Sequence, residues 1–162
     1  MRALANTLIG LIAAAAVGAG LSCTGVRVLD AQRPHDALST EPATVLDLLA
    51  HNARVALWPL LLVALAWSRM RITRLVGDAL VAGHVLGHGA LLGSALAQRP
   101  ELWRYLPHLP FEWLAIALPV AAWSTARRGP GRPGSWGLVA LATLVLVLLA
   151  LAAIVETYAV PL

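Results

Sequence analysis

The chain has 162 residues, of which 59% are hydrophobic and only 12% charged, and its mean hydropathy is +0.77. A soluble domain carries about 25% charged residues, so this composition excludes a soluble globular domain and predicts lipid as much of the solvent. The net charge of +4 comes from 12 arginines and no lysine. These arginines flank apolar runs and form no basic stripe with interleaved aromatics, which argues against nucleic acid as a partner.

Five apolar segments read as an all-α bundle of about five transmembrane helices forming a single integral membrane domain, since a span needs roughly 20 apolar residues. The first, Ala3–Leu21, follows Arg2 and runs into Gly20-Leu21-Ser22, a small-x-small pattern of the kind that ends a signal peptide. Its apolar run exceeds the usual signal-peptide length of about 7–15 residues, so an uncleaved span is expected. Residues 22–44 form the one sizeable loop, expected on the exterior. Cys23 is the single cysteine, which excludes an intramolecular disulfide and a cysteine-based zinc site.

The second segment, Val45–Trp67, is apolar only from Val55 onward; before that it carries Asp47, His51, Asn52 and Arg54. On a helix Asp47, His51, Arg54 and Trp58 fall on one face, a stripe expected to turn into the bundle. Pro59 is expected to kink this helix. The third segment, Leu75–Leu96, holds two glycine pairs, Gly83/Gly87 and Gly89/Gly93, on different faces. Lipid removes the hydrophobic drive between helices, so close backbone approach at such pairs is expected to pack this helix centrally. His84 and His88 share a face at i,i+4, the spacing of a weak metal-site candidate. Histidines bonded across helices are the expected alternative, and no metal or other cofactor is expected.

The fourth segment, Phe111–Ala126, is short and contains Pro119. It opens with Leu106-Pro107-His108-Leu109-Pro110-Phe111-Glu112, where Pro110 suits a first helical turn and Glu112 complements the dipole. The fifth, Leu138–Ala159, ends beside Glu156. Arg54, His108, Glu112 and Glu156 stand at similar depth and are expected to gather in one outward-side polar cluster, paired structurally or handling a substrate or proton.

Loop charge sets orientation. Arg2, Arg69, Arg71, Arg74, Arg127, Arg128 and Arg132 fall on one side of a five-span arrangement. The other side has Arg27, Arg33, Arg99 and Arg104, diluted by Asp30, Asp36, Glu41 and Glu101. The N-terminus is therefore expected inside and the C-terminus outside. Arginine in place of lysine, with an Ala/Leu/Gly/Pro bias, points to a bacterial-type genome and hence to a bacterial cell membrane. The chain contains no Walker loop, dinucleotide fingerprint, nucleophile motif or paired catalytic carboxylates, so a non-enzyme is expected.

Three stretches carry a family resemblance: His51-Asn52-Ala53-Arg54, Leu106-Pro107-His108 through Phe111-Glu112-Trp113-Leu114-Ala115, and Ala153-Ile154-Val155-Glu156-Thr157-Tyr158. In order and position they resemble the stage II sporulation protein M family of bacterial integral membrane proteins, over about Asp47 to Val160. His51 replaces one asparagine of that family's usual pair, and Leu109 replaces the glycine after its histidine. The resemblance marks Asn52, Arg54, His108, Glu112 and Glu156. It implies a non-catalytic scaffold for other membrane or envelope proteins, or a permease-like subunit of an exporter driven by a separate ATPase. A role in sporulation does not follow from it. Homo-oligomerisation through a glycine face of the third span is a further expectation.

Overall fold

A computed structural model describes residues 1–26, 42–128 and 134–158, and these form helices with no strand among them. Helix α1 spans Arg2–Cys23, α2 Pro42–Ala64, α3 Arg71–Gln98, α4 Leu109–Ala126 and α5 Ser135–Tyr158. All five are long and apolar enough to cross a membrane. At 1.5 Å per residue the 22 residues of α1 reach about 33 Å, and the 18 of α4 about 27 Å. The 3-10 turn Pro100–Tyr105 precedes α4. Most of the expected exterior loop, and residues 129–133 between α4 and α5, lie outside the described residues.

Segment boundaries moved by a few residues. Helix α2 stops at Ala64, short of the expected Trp67, because Ala66 adopts a left-handed conformation (φ 56°) and leads into the 3-10 turn Trp67–Arg69. Helix α3 runs longer at both ends than its apolar core, because the backbone ladder does not need apolar side chains: Arg74 N–H donates to the Met70 carbonyl and Arg99 N–H to the Ala95 carbonyl, both at 2.9 Å.

Close backbone contact builds the α1–α3 seam, the most extensive pairing in the bundle. A Cβ at Gly89 would strike the Leu11 carbonyl oxygen and the Ala14 side chain, one at Gly93 the Ala15 backbone, and one at Gly18 the Ala90 backbone. Ser22 and Ser94 then share a hydrogen bond of 2.5 Å at the end of the seam. The contacts advance together along both helices, so α1 and α3 run parallel. Of the two glycine pairs in α3, Gly89/Gly93 forms this seam, whereas no described residue comes within 4 Å of where a Cβ on Gly83 or Gly87 would stand. The expected packing on both faces is thus corrected to one.

Helix α4 touches α1, α2 and α5, and its buried residues Ala115, Ile116, Pro119, Val120 and Trp123 point to several sides. It separates two apolar clusters. One joins Leu11 of α1, Leu62 and Val63 of α2, Val81 and Val85 of α3, and Val120 and Trp123 of α4. The other joins Ala56 of α2, Ala115 and Ile116 of α4, and Val145 and Leu149 of α5. Pro59 and Pro119 are both fully buried, where neighbouring helices surround the backbone groups that proline leaves unbonded.

The stripe on α2 is a second correction. Asp47, His51 and Arg54 are exposed and face away from the bundle, and of the expected stripe only Trp58 turns inward, toward His84. Ala56, Leu60 and Val63 occupy the buried face, and small and aliphatic side chains pack there at less cost than ionised ones. Large apolar residues such as Ile9, Val17, Leu86, Val147 and Ile154 are also exposed, as expected for helices whose outer faces meet lipid.

Candidate functional site

Three helices bring polar side chains together, from the first half of α2, the start of α4 and the end of α5. His108 is the residue immediately before α4, in helical conformation, and Pro110 supplies the first-turn proline. Its side chain makes no capping hydrogen bond; its carbonyl accepts from the Phe111 N–H at 3.0 Å. One turn on, Glu112 projects from the same side of α4, and His108 Nε2 lies 3.8 Å from Glu112 Oε2. Asn52 reaches across from α2, where Nδ2 donates to Glu112 Oε1 at 2.9 Å.

Glu156 enters from the last turns of α5. One ligand atom from each of His108, Glu112 and Glu156 lies within 4.8 Å of the others. His108 is 8% exposed, and its Nδ1 is buried with no hydrogen-bond partner. Burial pushes the His108 imidazole below the ordinary histidine value and favours the neutral form, whose ring nitrogen keeps a lone pair.

Of the four residues expected to gather, the structure brings together His108, Glu112 and Glu156, and it adds Asn52, which the family resemblance marks. Asn52, His108, Glu112 and Glu156 meet, while Arg54 points outward from α2 and forms no ion pair with any described residue. Arg54 stands two residues after Asn52, a 200° turn on a helix, so the two side chains cannot serve the same site.

His84 and His88 occupy a separate position on α3. Trp58 Nε1 donates to His84 Nδ1 at 3.4 Å, and the rings meet edge-on with centroids 5.3 Å apart. His88 Nδ1 lies 2.8 Å from the His84 carbonyl oxygen. No third metal-ligating side chain joins them among the described residues. The i,i+4 spacing brings the two imidazole rings edge to face with centroids 4.4 Å apart, and His84 alone meets Trp58.

One polar site escaped the sequence reading. At the other end of the bundle Trp123 Nε1 donates to Asp78 Oδ1 at 2.9 Å, and Arg127 Nη1 lies 2.7 Å from the same oxygen. These residues border an open cleft of about 320 Å³ with Asn6, Thr7 and Arg128 on its wall. An isolated aspartate in the third apolar segment was the available signal, because an ionisable group in a span usually has a partner. No spacing rule ties it to a tryptophan 45 residues later.

Comparison of the chain with protein-family models, with curated proteins and with solved structures gave no match.

Proposed function

We propose that the protein is a non-catalytic membrane scaffold or assembly factor of the stage II sporulation protein M type, holding membrane or envelope partners in a bacterial cell membrane. The observation that carries this reading is the outward-facing polar strip of α2. Arg54 is exposed within the 20-residue apolar window Val45–Ala64, close to the depth of the first turn of α4, where Asn52 bonds Glu112, with His51 and Asp47 one and two turns away. An arginine at the centre of a span costs about 2.5–3.5 kcal/mol on insertion scales and less toward its ends, unless it snorkels or meets a polar group. A neighbouring spanning protein with a carboxylate at the same depth would remove that cost. The Gly83/Gly87 face of α3 offers a second surface with room for close helix approach.

A photo-crosslinking residue at Ala50, on the same face, tests the reading in native membranes. One integral membrane partner should be captured in near-stoichiometric yield, and Arg54→Leu should abolish capture without lowering folded yield. Capture of lipid alone, unchanged by Arg54→Leu, would overturn it.

The cleft beside Asp78, Arg127 and Arg128 favours a second reading, a permease-like subunit, because in the proposed orientation it opens on the side where a separate ATPase would dock. Copurification of an ATPase in place of an envelope protein distinguishes this reading from the first.

The orientation is N-inside and C-outside, on the strength of seven loop arginines against four. With Cys23 replaced by serine, Ser39→Cys should label from outside, and Arg128→Cys only after permeabilisation. External labelling of both positions contradicts five spans.

A further inference from the structure

We propose that His108, Glu112 and Glu156 bind one divalent metal ion of the zinc class at the end of the bundle, with Asn52 holding Glu112 in place. This goes beyond the scaffold reading and does not depend on it. The donor set is one imidazole nitrogen and two carboxylates from two helices, a combination that first-row ions such as zinc and manganese accept.

Geometry supports a single ion. Two ligands on a tetrahedral zinc at about 2.1 Å stand about 3.4 Å apart, and the three ligand atoms here already lie within 4.8 Å of one another. Rotation about the flexible glutamate side chains closes the remainder without moving a helix.

Two independent observations point to a ligand. The first is His108, nine-tenths buried, with Nδ1 left without a hydrogen-bond partner. Leaving a buried polar atom unpaired costs about 1–3 kcal/mol. The nitrogen that faces the carboxylates is Nε2, 3.8 Å from Glu112 Oε2 and so beyond hydrogen-bond length; coordination there would fix the proton on Nδ1 and orient the ring, as in other histidine-ligated sites.

The second is charge. Glu112 and Glu156 converge in a mostly apolar bundle, and no arginine pairs with either among the described residues. Two like charges at such a distance repel strongly in a weakly polar medium. A divalent ion cancels both and leaves a neutral site, the arrangement that costs least near lipid.

Asn52 completes the design. Its Nδ2 occupies Glu112 Oε1 at 2.9 Å, which leaves Oε2, the oxygen nearest His108, for the ion. Such outer partners orient a ligand, and their loss typically weakens metal affinity by about 10–100-fold. Both glutamates are partly exposed, so the ion has a route in from the helix ends.

The test uses the full chain, without a histidine tag, in lipid nanodiscs after chelator treatment and dialysis. Zinc chloride titrated by calorimetry should bind at one ion per chain and raise the thermal midpoint by several degrees. Glu156→Gln should weaken zinc binding at least ten-fold and Asn52→Leu somewhat less, whereas His84→Ala should leave it unchanged. X-ray absorption of the zinc-loaded wild type, which needs no variant to fold, should report one nitrogen and otherwise oxygen ligands. Absence of saturable binding by zinc, cobalt and manganese would overturn the proposal, as would a first shell richer in histidine. A carboxylate pair that shares a proton and takes up no metal is the specific outcome that would replace it.

Discussion

Gly93→Val should leave almost no folded protein, while Gly87→Val on the same helix should fold at close to wild-type yield. A Cβ at Gly93 would overlap the Ala15 backbone, and a flexible side chain is not available there to move aside. The two helices would have to separate along their whole parallel contact, breaking the neighbouring Gly89 and Gly18 approaches and the Ser22–Ser94 hydrogen bond. Overpacking commonly costs about 1–3 kcal/mol where side chains can adjust, and more where they cannot. Lipid offers no hydrophobic drive to restore the pair, because helix association in a bilayer rests on contact itself. With typical total stabilities of about 5–15 kcal/mol, loss of this seam is large enough to prevent assembly. At Gly87 an added Cβ meets no described atom within 4 Å. Monodisperse yield after detergent extraction separates the two variants, and equal yields would show that the α1–α3 seam is not held by backbone contact.

Much of the fold was legible because apolar length is a strong signal: a run of about 20 such residues has few structural options in any solvent. The facing of each helix was far less legible. Gly83/Gly87 and Gly89/Gly93 look equivalent as spacings, and only the position of α1 decides which pair is used. The α2 stripe failed for a related reason. Helical periodicity puts Asp47, His51 and Arg54 together on one face but carries no sign that says inward or outward. Its inward assignment assumed that every polar group must be sheltered by its own chain, an assumption that fails when a partner or the interface shelters it. The polar cluster was more readable, since His108 and Glu112 are one turn apart on one helix. Glu156 and Asn52 join from chain-distant helices, and their approach required knowing how α2, α4 and α5 pack.

Trp123→Ala should lower the thermal stability sharply, and the way it couples to Gly77 makes that result diagnostic. Trp123 is 1% exposed at the junction of α1, α2, α3 and α4, and its ring lies where a Cβ on Gly77 would stand. Truncating a buried tryptophan costs about 3–5 kcal/mol in soluble cores. In a bilayer the transfer part shrinks, because lipid is as apolar as the core, but the cavity and the lost contacts remain. Asp78 also loses the indole N–H and keeps Arg127 alone, so about 3 kcal/mol is expected. Gly77→Ala should destabilise the wild type through collision with the ring, yet cost little in the Trp123→Ala background, where its methyl enters the cavity. The two changes are therefore expected to be non-additive by more than the roughly 0.5 kcal/mol tolerance of independent sites. Strict additivity of the thermal shifts would mean that Gly77 and Trp123 are not in contact, and that α3 and α4 meet elsewhere.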